Sequence, residues 1–352
     1  MRGRHAVIIG AGPAGLAAAA GLARRGVAYT LLERGAAPAA ALRAVDPDME
    51  LFSPARLSRL RDMELPHAGR YPTFRELVTA LDRFVERHAI AVQTGRAVTA
   101  IERGASRDSG GGGHGGFVVR TDAGELRASH VINATGIAGA PRLPEGIAAL
   151  RLPWKHSLHV RRPDIDAARR LLVVGAGASA ADVLMQWLAV RRPGDRAWIA
   201  ARSRIRALPS AVLGIDFHYW LWAIEHLPGR WLAPSRDPIW GLEVPRAIRS
   251  GAIERIQIER YREAAVELAG GAAIEPDLIV FATGFHHDTR HLGELIERDA
   301  AGWPIARECE SRRAPGVFVL GARYGRSIAS PTLRGIARDA EAVCARIAAG
   351  AP

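Results

Sequence analysis

Two short apolar runs, each followed by a glycine-spaced turn and a stretch of small residues, organise the chain. The first lies in "HAVIIGAGPAGLAAAAGLARRGVAYTLLER", from His5. Val7 to Ile9 lack the polar alternation of a half-solvated strand and predict one buried on both faces, as in a parallel sheet. Leu16 to Ala23 then predict a helix whose small side chains let it lie close against that strand. The second run, "RRLLVVGAGASAADVL" over residues 169–184, repeats the plan, with Leu171 to Val174 as the strand and Ala180 to Leu188 beginning the helix. Elsewhere the pattern changes. From Tyr71 to His88 apolar residues recur at helical spacing behind Thr73, a suitable N-cap. "AVQTGRAVTAIER" and "GGFVVRTDAGELRASHVINATG" read as β segments, joined by the glycine-rich "RGASRDSGGGGHGG", a flexible connection without chemistry. Two apolar strands end in the same triplet, "NATG" at Gly136 and "FATG" at Gly284, and Pro141 and Pro144 mark a linker after the first. The chain closes with a strand, a glycine-rich turn and a helix starting near Ser330 to Thr332.

The turns carry the candidate chemistry. Gly10 permits a tight bend, Gly12 lets a pyrophosphate approach the backbone at the helix N-terminus, and Gly15 lets helix and strand pack closely, with Pro13 and Ala14 completing the loop. Glu33, ending the next strand beside Arg34, can accept hydrogen bonds from ribose hydroxyls. In the second unit Gly175, Gly177 and Ala180 fill the three fingerprint positions around Ala178 and Ser179, but the following strand, "AWIAA", leads to Arg202, Ser203 and Arg204 rather than to an acid. Arginine there accommodates the 2′-phosphate of NADP, so the two fingerprints are expected to hold different ligands. The alternative is that these arginines are only exposed solubilising charges. Thr135 and Gly136, and Thr283 and Gly284, stand at the ends of the two ATG strands. Gly321 with Ser330 and Thr332 places a helix N-terminus where it can stabilise negative charge on a bound ring. The expected fold is α/β, with two dinucleotide-binding, Rossmann-like domains.

Composition narrows the field. The 352 residues suit two modest domains, and 48% hydrophobic with 24% charged residues is ordinary for a globular protein. No segment approaches the roughly 20 apolar residues of a membrane helix, and "MRGRH" runs straight into a strand, so no membrane association and a cytoplasmic location are expected. Cys309 and Cys344, far apart and outside any CxxC spacing, argue against a disulfide scaffold, a zinc cluster and a dithiol centre. The net charge of +12 is scattered, which suits attraction of anionic cofactors better than nucleic-acid binding. His286 and His287 are expected at the surface, with no metal site nearby, and no Ser/His/Asp order supports hydrolysis. His156 is the one candidate for a catalytic role, orienting a nicotinamide, against a structural role in the linker.

The order and spacing of these blocks resemble the flavin-containing monooxygenase family, in particular its short bacterial members, including those associated with arsenic resistance. The similarity runs nearly end to end, through the first fingerprint, "LFSPARLSRL", "NATG", the second fingerprint, "FATGF" and "GARYGRSIASPTLRGIA". The resemblance implies an FAD domain, residues 1–158 plus 278–352, interrupted by an NADPH domain, residues 159–277. It also implies the chemistry: NADPH reduces FAD, O2 adds to the reduced flavin as a peroxide, and the peroxide oxygenates a small N-, S- or As-containing nucleophile or a ketone. The chain departs from the family where GGxW is replaced by Ala39 to Leu42 and where the FxGxxxHxxxY/F pattern keeps only His156, with Leu150, Leu152 and Val160 at the other positions. It departs again at Ala178, where the family's NADPH fingerprint usually has Asn, and in "GARYGRS", which lacks an acid. A flavoprotein dehydrogenase or reductase without oxygen insertion, and a dinucleotide-binding module without activity, are therefore the alternatives. An aromatic insertion, residues 216–240, is expected to bury Phe217, Trp220 and Trp222 as a cap over the domain junction, or else to serve as a packing helix or half of a homodimer contact.

Overall fold

The computed structural model describes residues 4–66, 71–104, 116–136, 140–202, 205–225, 239–300, 302–323 and 325–350. Two parallel sheets organise these residues. In the first, strand His5–Ile9 runs between Ala28–Leu32 and His130–Asn133, parallel to both, with Val92–Gln93 at one edge. Val317–Val319 pairs with His130–Asn133 on the other side, and three short antiparallel strands extend that edge. The continuous apolar run is explained by burial on both faces. Ala6 and Ile8 pack with Leu16, Leu22 and Phe84 on the helical side, whereas Val7 and Ile9 join Ile101, Phe117 and Val119 of an antiparallel meander on the other. Thr73 caps the helix Phe74–Arg87 by accepting the Glu76 N–H, while Glu76 reaches back to Thr73, completing a capping box.

The second sheet repeats the plan. Its five strands, in the order Glu254–Ile256, Arg196–Ala200, Arg170–Val174, Leu278–Phe281, Trp154–His156, are all parallel. A second three-stranded antiparallel unit, from Ile258 to Ile274, accompanies it. The α/β architecture with two Rossmann-like units is thus what the pattern predicts. The boundaries differ. Leu278–Phe281 pairs with the central strand Arg170–Val174 and Trp154–His156 forms the edge beside it, so the expected boundaries at 158 and 278 separate two strands from the sheet they pair in. The chain crosses between units just outside these strands, where Pro141 bridges Phe285, the Arg142 N–H donates to the Gly284 carbonyl (2.9 Å) and the His286 N–H to that of Ala140 (2.8 Å). Pairing, rather than the sequence position of the ATG triplet, decides the assignment, because an apolar strand is placed by its neighbours.

The first fingerprint helix, Pro13–Ala23, packs against the C-terminal helix, Leu333–Ala349, along small residues. A methyl at Gly21 would meet Cys344 Sγ at 2.8 Å, and that thiol donates to the Ala18 carbonyl at 3.3 Å. Gly21→Ala is accordingly expected to destabilise by about 1–3 kcal/mol through overpacking. In a Cys344→Ala background the cost falls towards zero, because the added methyl loses its closest neighbour and alanine is the better helix former. A double-mutant cycle from denaturant unfolding checks this; equal costs in both backgrounds would contradict the packing.

Candidate functional site

Each fingerprint turn is wedged beneath the strand that ends in ATG. Gly10 has φ +96°, and a Cβ there would lie 2.7 Å from the Ala134 carbonyl oxygen; Gly175 has φ +126°, and its Cβ would lie 2.1 Å from that of Ala282. Both positions therefore demand glycine on conformation and on space. At Gly15 a Cβ would fall 1.9 Å from the Gly10 carbonyl, so helix and turn touch backbone to backbone. In the second unit Ala180 takes this position fully buried.

The middle glycines behave differently. A Cβ at Gly12 or Gly177 would meet nothing within 4 Å, and each residue is the N-cap of its helix without a side-chain cap and without an acid in the first turn. By contrast, Thr73 and Thr332 supply side-chain caps to their helices. Two helix N-termini with open space in front and unclaimed N–H groups fit a dinucleotide pyrophosphate, since the orphan donors and the positive dipole end both favour an anion. Pro13 at the first helical position removes a donor that has no partner in any case. Ala14 lies against Gly321, φ +72°, whose Cβ would sit 3.8 Å from both Ala14 Cβ and Ile336 Cδ1, so the C-terminal turn adjoins the first fingerprint.

Side chains beside the turns set their chemistry. Glu33 is buried, and its oxygens accept the Ala11 and Gly35 N–H groups, both at 2.8 Å. The carboxylate thereby shapes the first turn and keeps lone pairs for further donors. Arg34, next to it, is exposed. Thr135 donates to Asn133 Oδ1 at 3.4 Å, Gly136 has φ +64°, and Thr283 donates to the Arg142 carbonyl beside Gly284, φ +80°. Around the second fingerprint Ala178 and Ser179 form the first turn of helix Ala178–Val190, half-buried. Arg202 is exposed two residues beyond Ala200, whose carbonyl accepts the Gly175 N–H at 2.9 Å; Arg204 lies outside the described residues. Ser330 and Thr332 prove to be committed to the turn. Ser330 Oγ accepts the Arg326 and Ser327 N–H groups (3.0 and 3.1 Å), and Thr332 Oγ1 donates to the Ala329 carbonyl (2.7 Å).

His156 holds the linker. Its Nδ1 accepts the Leu158 N–H (3.2 Å) and its Nε2 donates to the Gly284 carbonyl (3.1 Å), leaving a neutral, 2% exposed ring with both nitrogens used. Burial lowers its pKa, in keeping with that neutral form. Of its two readings, the structural one fits this geometry.

Two expectations are corrected. His287 is buried rather than exposed, at the edge of Trp303 (ring centroids 5.6 Å apart), and neither of its ring nitrogens has a partner. Nearby, His291 Nε2 bonds Asn133 Oδ1 at 2.8 Å, while Asn133 Nδ2 is also unpartnered. Burial pushes both imidazoles down to about 4. Isolated polar residues in a loop gave no periodic signal of burial. The second correction concerns the aromatic insertion, of which 226–238, including Trp231, and the Trp240 side chain lie outside the described residues. In helix Phe217–Ile224, Phe217 is half-buried, but Trp220 and Trp222 are 41% and 46% exposed. Polar anchors orient this helix. His218 is buried beside Asp216, which also accepts the Tyr71 hydroxyl at 2.5 Å, and two turns on Glu225 is buried against Arg334 and Arg338 of the C-terminal helix (2.6 and 2.5 Å). Residues 218, 222 and 225 share one face, so Trp220 turns outward, while Trp222 stays on the anchored side beside Arg334 and Arg338 and keeps 46% of its surface exposed.

Comparison with known proteins agrees with this geometry. Residues 7–203, more than half of the chain, match the family described as pyridine nucleotide-disulphide oxidoreductase. Indole-3-pyruvate monooxygenase YUCCA1 of Oryza sativa subsp. japonica is 28% identical over 339 residues, covering 84% of this chain and 80% of that protein. Among solved structures, a double-substituted flavin monooxygenase from Stenotrophomonas maltophilia superposes with a TM-score of 0.80 at 24% identity, covering 100% of both chains. Bacillithiol disulfide reductase Bdr from Bacillus cereus superposes with a TM-score of 0.72 at 18% identity, covering 99% of this chain and 100% of that one. Among the described residues no helix is long and apolar enough to cross a membrane.

The buried imidazole predicts a pH effect. The fold holds His287 neutral, so its contribution is complete above the ordinary histidine value of 6.5 and drains as pH falls towards about 4. The full loss is about 3 kcal/mol. Comparing unfolding free energies of the unaltered protein and His287→Gln at pH 7.5 and 4.5, the difference should shift by most of that amount against the unaltered protein at the lower pH; a pH-independent difference would contradict it.

Proposed function

Because the chain belongs to the pyridine nucleotide-disulphide oxidoreductase family, we propose that it is an NADPH-dependent FAD monooxygenase, with FAD in the first unit and NADPH in the second. The observation that carries this reading is the pair of uncapped glycine N-termini, Gly12 and Gly177, with opposite side-chain chemistry beside them. A buried Glu33 suits ribose hydroxyls, and an exposed Arg202 suits a 2′-phosphate. Bound FAD would supply the redox chemistry, with electrons from NADPH and O2 as oxidant.

The chain's own residues bind and orient. The N–H groups behind Gly12 and Gly177 take the two pyrophosphates, and the ATG turns at Gly136 and Gly284 border the two crevices. Thr332 fixes the start of the C-terminal helix beside Gly321, where the positive end of the helix dipole would stabilise negative charge on a ring. His156 keeps the crossing strands in place between the crevices. The substrate we infer is a small nucleophile carrying N, S or As, or a ketone; the rice relative's name, indole-3-pyruvate monooxygenase, supports the carbonyl branch. The fold it shares with a bacillithiol disulfide reductase favours, as a second reading, a reductase without oxygen insertion. Against thiol exchange stand Cys309 and Cys344, both fully buried, with thiols that burial pushes up, Cys344 to about 12.

Open space at Gly12 and Gly177 makes them clean tests, since a side chain there does not collide with the fold. Gly12→Asp is expected to give folded, colourless protein without FAD, because a carboxylate meets the phosphates. Gly177→Asp should stay yellow but lose reduction of its flavin by NADPH under anaerobic conditions. Flavin retained in the first variant, or reduction retained in the second, would sink the assignment.

Arg202 yields a separate expectation. A charge-assisted contact to phosphate is worth roughly 1.5–3 kcal/mol, so Arg202→Ala should lower the NADPH over NADH preference in kcat/KM by about tenfold or more. An unaltered protein that uses both nucleotides equally would remove the 2′-phosphate reading. Oxygen uptake that rises with added substrate separates the monooxygenase from the reductase.

A further inference from the structure

A cavity of about 260 Å³ opens between residues 56–61 of the first unit, the aromatic helix and the C-terminal helix. Arg56, Arg59, Arg61, Arg334 and Arg338 line it together with Trp222, over an apolar floor that includes Leu57 and Leu60. Five arginines thus line one small space. Their neutralisation is incomplete. Glu225, 1% exposed, lies behind Arg334 and Arg338 and uses its carboxylate on both. Among the described residues Arg61 has as acidic neighbours Asp62 and Glu341, at 3.9 and 3.7 Å, and Glu341 is shared with Arg24 and Arg25. Arg56 and Arg59 are exposed and have no acidic partner among the described residues. Elsewhere on the same unit surface arginines are interleaved with acids, as Arg43 with Asp82, Arg75 with Asp48 and Arg87 with Glu64.

Concentrated like charge in a concave, partly apolar space raises the local potential and draws anions, and guanidinium forks match the oxygens of phosphate and carboxylate. The small volume suits a compact molecule rather than a polymer. Trp222, 46% exposed, supplies a flat apolar wall. None of the lining residues belongs to either glycine fingerprint. We propose that this cavity binds a small molecule carrying two or more anionic groups, of the phosphate-ester or polycarboxylate class, at a site separate from both dinucleotide crevices. Because Trp222 belongs to the inserted unit and the arginines to the first, such a ligand bridges the two.

Fluorescence titration tests the site on the FAD-loaded protein at low ionic strength, with pyrophosphate and citrate as probes and chloride at matched ionic strength as control. A saturable change with at least one probe is expected, absent in Trp222→Phe and weakened by added salt. In the double variant Arg56→Glu, Arg59→Glu the Kd for that probe should rise at least tenfold with FAD content unchanged; these exposed, unpaired side chains leave the fold intact. Saturation by pyrophosphate alone identifies the phosphate class, and by citrate alone the carboxylate class. No saturable binding of either probe, or binding that survives both the charge reversal and Trp222→Phe, overturns the proposal, the latter placing the anion at the fingerprint turns instead.

Discussion

Both units depend on the contact of one backbone with another at the ends of the ATG strands. Parallel pairing carries His130–Asn133 along His5–Ile9 until the Ala134 N–H donates to the Ile9 carbonyl at 2.9 Å, and the Ala134 carbonyl then lies over Gly10. The same sequence of contacts occurs in the second unit, where Ala282 donates to Val174 at 2.8 Å and its carbonyl covers Gly175. A turn held from above by a carbonyl has one way to leave the sheet. It bends into the helix with the N-terminus aimed across the strand ends, where an anion finds donors already oriented. The aim of each helix N-terminus therefore follows from sheet pairing.

From this shared frame the two units diverge. In the first, Glu33 is fastened to Ala11 and Gly35, so the acid and the turn hold one another in position before any ligand arrives. In the second, Arg202 stands exposed on a long stem at the matching strand end. A pre-shaped crevice loses little entropy on binding, whereas a flexible guanidinium orders only when its phosphate is present. The two crevices thus differ in how far they are shaped in advance.

Much of this was legible in the sequence. Continuous apolar runs, glycine spacing and small-residue helices identify parallel strands and close packing because each is a local steric requirement. The Thr73 N-cap and the start of the last helix near Ser330 to Thr332 are readable for the same reason. What escaped depended on partners far along the chain. The sheet that Leu278–Phe281 joins is fixed by Arg170–Val174 and Trp154–His156, not by its own residues. His287 is buried by Trp303, sixteen residues on, without periodicity to reveal it. The aromatic helix misled because aromatic residues suggest an inner face, whereas Asp216, His218 and Glu225 provide its anchors.

Those anchors bear on how the two crevices face each other. Besides the crossings at Pro141 and Phe285, the inserted unit is tied to the first by Arg161 donating to the Ala44 carbonyl and by the Arg162 N–H donating to Asp46, both at 2.6 Å. Val45, Met49 and Leu158 form a small apolar cluster beside these bonds. Asp182, on the second fingerprint helix, is pushed up to about 6 by burial, with Glu50 and Asp46 of the first unit adding repulsion. At the far end Glu225 is buried against two arginines, and removing its partners would leave an uncompensated charge, a loss of roughly 3–5 kcal/mol. The contact between the units is thus anchored twice, by the buried Glu225 between two arginines and by the Arg161 and Arg162 bonds to Ala44 and Asp46, the second of which stands beside a buried carboxyl that neighbouring acids disfavour as an anion.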